Sequence, residues 1–315
     1  MYLNRLFRWK WYFYDILLPS LLGVAPETAD RVLSLLGRIN GVFRWRRRAA
    51  VEAAARDAIV ALGSRLEPSE FRRAVEENLP RYLARDLMLD REDEASIASR
   101  FEVEGGAILD DALEAGRGVI LVGAHHGAHL AAIHRILRIG LPMRLLIQEP
   151  HHASRFLRAR FAESSDRPQS RFFVRRDLST GEAAERILLA RGFLRGGGIV
   201  YLNGDIPWQG PSTIPTRLLG RSTRLLLIWA ELASLTGAPV VFMFASHRCG
   251  GNYGVRFVGP LHVGSGEEPA ALERFIEALH AEIAAAPADA VPYLTWPSFG
   301  VRRGQSPPPM PSITL

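Results

Sequence analysis

The sequence predicts an α/β protein: a largely parallel sheet flanked by helices, preceded by an N-terminal helical region. Two observations carry that prediction. From residue 101 onward, short β-branched and aliphatic runs alternate with helix-like segments, the pattern of strands joined by crossover helices. Residues 25–99 instead read as mostly helical.

Residues 1–24 (MYLNRLFRWKWYFYDILLPSLLGV) read as an amphipathic helix. Asn4, Arg5, Arg8, Tyr12 and Asp15 share one face, and Leu3, Leu6, Phe7, Phe13, Ile16 and Leu17 fill much of the rest. Trp9, Trp11, Tyr12 and Tyr14 add rings of the kind that sit at lipid headgroups. Pro19 is expected to end this helix. It is either an interfacial membrane helix or one packed against its own domain.

Residues 25–100 form a helical cap region. Pro26 and Glu27 suit a helix start. Arg44 to Arg48, with Trp45 among them, form a basic cluster that faces phosphates or is a solvated face. Residues 68–89 make another helix, with Phe71, Ala74, Val75 and Leu79 as apolar positions. Pro80 is expected to kink or break it.

The core is expected over residues 101–300. A short helix at 110–115 leads into a buried strand at 119–122. Gly123 and Ala124 end the strand, and His125, His126, Gly127, Ala128 and His129 follow. Leu130, Ile133 and Leu137 then fall at helical spacing, so the histidines occupy a strand-to-helix turn. Chemistry in α/β folds collects at the carboxyl ends of strands, and a helix start there presents free N–H groups. A histidine in that place suits a general base, since its pKa lies near neutrality. The plainer alternative is a polar turn whose imidazoles cap the helix.

The elements after this turn continue the alternation. Strands are expected at 143–147, 172–174 and 199–202, with helices at 153–162 and 181–194 between them. The strand at 199–202 ends in Asn203-Gly204-Asp205. An acid just past a strand end is a candidate for the site, or else holds the loop as an Asx turn. Strands at 240–245 and 253–258 form a hairpin around SHRCGGN, a helix follows at 269–284, and residues 301–315 are a proline-rich, disordered tail.

These segments, over about residues 118–296, resemble the lysophospholipid acyltransferases, and among them the lipid A lauroyl/myristoyl acyltransferase group. That group carries His-x4-Asp/Glu after a strand, often as His-x-Gly-Asn-Trp-Glu. Aligned on His125 and Gly127, the acidic position falls on Leu130; counted from His126, it falls on Ala131. Asp205 stands where the family carries an acid near its histidine. Leu218-Leu219-Gly220 and a helix follow, Thr236 to Val241 matches closely, and Tyr293-Leu294-Thr295-Trp296 is similar to the Tyr-Leu-Trp that closes the family's core.

The resemblance implies an acyltransferase moving an acyl group from a carrier-protein or coenzyme A thioester to a hydroxyl or amine. His125 would be the base, with His126 as the other candidate, and Gly127 and His129 would line the substrate. Arg217, Arg221 and Arg224 cluster near the Leu219-Gly220 turn and suit an anionic substrate. With Leu130 unable to orient the base, Asp205 is expected to reach His125 or His126; Glu149 and Glu231 are the other carboxylates considered. The missing motif acid also leaves open a thioester hydrolase or a non-catalytic acyl-binding protein.

Composition narrows the partners. The 315 residues carry a net charge of +6 and a pI near 9.9, which suits an acidic carrier protein or an anionic membrane surface. Charge alone does not argue for nucleic acid. Cys249 stands alone, which rules out an intramolecular disulfide and a cysteine-built zinc site and suits a reducing compartment. With no cleavable signal peptide and no apolar run long enough to span a bilayer, the expected location is cytoplasmic, peripheral on the inner membrane's cytoplasmic face. His125-His126-x-x-His129 resembles a zincin pattern only superficially, because His126 takes the place of its glutamate; no metal is expected. There is no Gly-x-Ser-x-Gly elbow, P-loop or dinucleotide fingerprint, so no cofactor beyond the acyl donor is expected.

Overall fold

In the computed structural model, which describes residues 9–43, 45–147, 152–166, 180–210 and 212–299, the aliphatic runs form one six-stranded sheet. Its strands are β1 (Phe101–Glu104), β2 (Val119–Gly123), β3 (Met143–Leu145), β4 (Ile199–Asn203), β7 (Val240–His247) and β8 (Tyr253–Leu261), in the order β1-β8-β7-β2-β4-β3. Neighbours run parallel except β7 and β8, which form the expected hairpin.

The central strands are buried at every position because both faces are covered. Alternate side chains serve two cores. Ile120, Val122, Val200, Leu202, Val240 and Phe242 pack on one face with Trp229 and Phe275. Val119, Leu121, Ile199, Tyr201, Val241 and Met243 pack on the other with Leu130, Ile133 and Ile136 of the helix His129–Arg138. A parallel β7-β2-β4 trio brings the carboxyl ends of all three strands to one edge. That places the turn after β2 between His247, the last residue of β7, and Asp205, just past β4.

The helical region comprises Pro26–Phe43, Trp45–Leu62 and Pro68–Ala84. Pro80 lies inside the last of these without ending it. Leu79, Pro80, Tyr82 and Ala84 are all buried, and packing of that face outweighs the missing N–H. The helix gives way to a 3-10 turn, Arg85–Leu89. Pro19 likewise does not end the first helical stretch. It is the second residue of Leu18–Leu21, which continues directly from a π-helical Tyr12–Leu17, and buried Leu18 and Leu21 on either side of it hold the stretch together. The stretch closes at Leu22-Gly23 instead.

Three strands were not expected. β1 joins the sheet edge beside β8. β5 (Thr213–Leu218) and β6 (Arg221–Leu226) pair as a separate hairpin just before the helix Ile228–Thr236. Its two-residue turn, Leu219-Gly220, has positive φ at both positions, and Leu219 tolerates this because its side chain is buried in the core. The strand expected at 172–174, the tail at 301–315, Arg44, Glu149, His151 and the first eight residues lie outside the described residues. Among the described residues, no helix is long and apolar enough to cross a membrane.

Candidate active site

The strand-to-helix turn sits where the pattern of residues puts it, at the carboxyl edge between β4 and β7. His125 is its one partly exposed histidine, with about a fifth of its side chain reached by solvent. Asp205 grips this residue twice. Its Oδ2 accepts the His125 backbone N–H at 2.8 Å, and its Oδ1 lies 2.9 Å from Nδ1. The Tyr293 hydroxyl donates to the same Oδ2 at 2.6 Å.

Asp205 has no exposed surface. Burial alone would raise its carboxyl; the charge and hydrogen bonds of His125, with the Tyr293 hydroxyl, outweigh that and hold it below the ordinary aspartate range. Tyr293 shows the converse. Burial and the Asp205 charge push its phenol well above 10, so it remains a donor.

A carboxylate at Nδ1 makes that nitrogen the N–H and leaves the lone pair on Nε2. The surrounding network agrees. The Tyr201 hydroxyl donates to Asn203 Oδ1 at 2.7 Å, which turns the Asn203 amide nitrogen toward His125 Nε2, 3.3 Å away. Trp296, Phe299 and His129 surround the imidazole, with ring centroids 5.7, 6.1 and 5.5 Å from it.

The other histidines of the turn differ from His125. His126 is buried, and neither ring nitrogen has a hydrogen-bond partner among the described residues. His129 is buried on the following helix; desolvation, aided by the Arg85 charge, holds it neutral, well below 6.5. His134 is wholly inside against Phe156, and burial lowers it to about 3.

Gly127 is where the turn needs glycine. Its φ is +48°, and a Cβ there would lie 2.3 Å from the Ala245 carbonyl oxygen and 2.9 Å from Asp289 Cγ. The close approach comes from β7 and Asp289 of this chain. Its N–H donates to the Asp289 carbonyl at 3.1 Å.

The hairpin arginines separate, and Arg224 is spent on Thr213 within the hairpin. Arg221 is largely buried, donates to the Tyr293 carbonyl at 2.5 Å, and desolvation lowers its pKa. It therefore braces the segment that carries Tyr293. Arg217 is exposed on β5, and no contact joins it to His125. Glu231 lies on the helix Ile228–Thr236, with no bond to either turn histidine.

Tyr201 and Asp289 were not singled out from sequence, and Asn203, Tyr293 and Trp296 were noted there only as parts of segments, with no role in the site. Asn203 was legible as the strand end beside Asp205. The others become neighbours only through sheet order and the return of the chain at 289–299.

A histidine held by a buried aspartate at the carboxyl edge of a mostly parallel sheet defines an α/β protein equipped to move a proton there. The family model for bacterial lipid A biosynthesis acyltransferases matches residues 3–291, and the chain belongs to that family. No curated protein sequence matches it. Among the described residues, no cluster of three or more His, Cys, Asp or Glu side chains is arranged to hold a metal ion.

Proposed function

We propose that the chain transfers an acyl group from a thioester on acyl carrier protein or coenzyme A to a hydroxyl or amine, with His125 as general base. The observation that supports this best is the two-point hold of Asp205 on His125, which takes over the orienting task Leu130 cannot perform.

In the proposed step, His125 Nε2 takes the proton of the acceptor O–H or N–H as that atom attacks the thioester carbonyl. Asp205 stabilises the imidazolium across Nδ1. The C–S bond then breaks, and the imidazolium returns its proton to the leaving thiolate, so the products are the acylated acceptor and a free thiol. An acceptor at Nε2 displaces the Asn203 amide, which is then free to donate to the oxyanion. Gly127 lets the turn pack against β7 and Asp289 so that His125 is presented to the acceptor, while neutral His129 lies beside the His125 ring. Arg221 would act through Tyr293, and Arg217 would meet the anionic part of a substrate or carrier from outside. The basic surface suits an acidic carrier, and Trp9, Trp11 and Tyr12 suit docking on an anionic cytoplasmic membrane face.

Mass spectrometry of products from acyl carrier protein and acyl-coenzyme A panels, with and without hydroxyl and amine acceptors, tests this. Acylated acceptor is the expected product, and His125→Ala should reduce it by roughly 100-fold or more with folding intact. Free fatty acid alone would support a thioester hydrolase instead. An acyl donor bound without turnover would support a binding protein.

A further inference from the structure

A second His–Asp pair stands on the other side of the turn that carries His125. The His247 backbone N–H donates to Asp289 Oδ2 at 3.0 Å, and His247 Nδ1 lies 2.6 Å from Oδ1. Asn78, buried on the helix Pro68–Ala84, donates its amide to the same Oδ1 at 2.7 Å and to the Ala288 carbonyl at 3.1 Å. Asp289 is buried, and burial would raise its carboxyl; the charge and hydrogen bonds of His247, with the charge of His126, hold it below the ordinary range. The pair is not a second reaction centre, because His247 Nε2 is itself buried and presents neither lone pair nor proton to a substrate.

These bonds to one carboxylate fix the 3-10 turn Pro287–Asp289 against the end of β7 and the helix Pro68–Ala84. The main chain fixed there supports the histidine turn. The Asp289 carbonyl accepts the Gly127 N–H at 3.1 Å, and the Ala245 carbonyl of β7 accepts the Ala128 N–H at 3.3 Å. Gly127, at φ +48°, has no Cβ to restrict its backbone, so the shape of the turn depends on what its N–H is bonded to. Asp205 holds the first residue of the turn and Asp289 holds the third. The chain then runs from Asp289 into Val291–Thr295, whose Tyr293 hydroxyl donates to Asp205, and on to Trp296 beside the His125 ring. Residues 289–296 therefore meet the turn from both sides.

We propose that Asp289, anchored by His247 and Asn78, is a positioning residue for His125: its main-chain carbonyl fixes the turn so that the His125 N–H and ring meet Asp205 together. The inference rests on His125 being the base of the acyl transfer proposed above. Neither His247 nor Asn78 hydrogen-bonds to His125 or Asp205 among the described residues, so an effect of either on His125 passes through Asp289 and the turn. Small displacements matter here, because a misplacement of about 1 Å at a reacting group can cost about 100-fold in rate.

A pair of substitutions tests this. His247→Leu removes the ring donor to Asp289. His247→Asn keeps one, since an asparagine amide nitrogen stands about where Nδ1 stands. Two NMR readouts on the full chain need no turnover: the low-field Nδ1–H resonance of His125, identified by its loss in His125→Ala, and hydrogen exchange of the Gly127 amide. In His247→Leu the resonance should broaden or vanish and Gly127 should exchange roughly tenfold faster or more, with both close to the parent in His247→Asn. In acyl transfer, kcat should fall by about tenfold in His247→Leu with KM within about twofold, and should recover in His247→Asn. A role in folding alone would lower the thermal midpoint and leave the resonance, the Gly127 exchange and kcat of the folded variant unmoved. If His247→Leu does not fold, Asn78→Ala removes the other side-chain donor to Oδ1 and carries the same expected changes. An unchanged His125 resonance with unchanged Gly127 exchange in the folded variant would overturn the proposal, whatever its turnover. The expected NMR changes in a chain that transfers no acyl group would support the positioning and overturn the acyl-transfer reading.

Discussion

Asp205 holds His125 by backbone and ring at once: one carboxylate oxygen takes the N–H of the residue at 2.8 Å and the other faces its Nδ1 at 2.9 Å. A side chain gripped this way cannot rotate about χ1 without losing a charge-assisted hydrogen bond in a buried place. The turn geometry and the tautomer are therefore set by the same residue.

Asp205→Asn separates these two tasks. Asparagine keeps an oxygen for the backbone N–H but presents either an amide N–H or a neutral oxygen to Nδ1. The ring then loses both its fixed tautomer and the charge that stabilises its protonated form. Activity should fall by about 100- to 10,000-fold. The thermal midpoint should move by only a few degrees. Full activity in this variant would remove Asp205 from the proton relay.

Tyr293 acts one step further out. Tyr293→Phe removes the third donor to Asp205 while leaving the ring that packs against Phe299. The phenol is buried with its pKa pushed well above 10, so it donates throughout the working pH range. Its loss should cost about 1–2 kcal/mol of stability and lower kcat by roughly tenfold. It should also raise the Asp205 carboxyl, because a hydrogen bond that lowers it is gone. Comparing the acid limb of the kcat profile in the two proteins checks this.

The sequence made the sheet and the histidine turn legible because both are local. An aliphatic run closed by glycine, followed by helical spacing, needs no distant partner to be recognised. Asp205 was legible for the related reason that parallel strands share a carboxyl edge, so two strand-end loops meet if their strands are neighbours. β2 and β4 are neighbours. What stayed hidden depends on long-range return of the chain. Tyr293 and Asp289 arrive from the C-terminal end, and no spacing rule ties them to residues 125–127. The hairpin at 213–226 was hidden because its Arg- and Leu-rich strands alternate weakly and run directly into a helix. Pro19 and Pro80 misled for the opposite reason: a strong local signal yielded to the packing of the buried side chains around each proline.

His134 offers a stability test with a definite sign. It is wholly buried, both ring nitrogens lack partners among the described residues, and its pKa is lowered to about 3. In the unfolded chain an ordinary histidine takes up a proton near pH 6.5. The folded-state value is depressed, so the unfolded state binds more protons between these limits. Its titration adds no pH dependence to stability above about pH 6.5, and stability falls as pH drops from there toward 3, by at most about 4 kcal/mol. His134→Leu should remove that part of the slope in urea titrations at pH 7 and pH 5. It should also stabilise the protein at pH 7, since two unsatisfied buried nitrogens are replaced by carbon. An unchanged slope would mean that the ring is protonated or solvated in the folded chain.

The N-terminal helix can be tested with one face held constant. Phe13, Leu18 and Leu21 are buried against Ala29, Leu33 and Ala84, and the Tyr14 ring stacks on His152 with centroids 3.6 Å apart. That face belongs to the domain, and deleting residues 1–24 would uncover it and confound any binding assay. The opposite face presents Trp9, Trp11, Tyr12 and Ile16, each between 41% and 49% exposed. Large apolar and amphipathic side chains grouped on the outside of one short stretch suit the interfacial layer of a membrane. Replacing Trp9, Trp11 and Ile16 together by glutamine leaves the buried face intact. The variant should keep the thermal midpoint of the parent but co-sediment with anionic vesicles several-fold more weakly. Added salt should weaken the parent's binding only in part, because screening acts on its basic charge and leaves insertion of the aromatic rings largely unaffected. Equal sedimentation of variant and parent would place the membrane contact elsewhere or nowhere. Binding lost wholly to salt would make it a matter of charge, with the exposed rings playing no part.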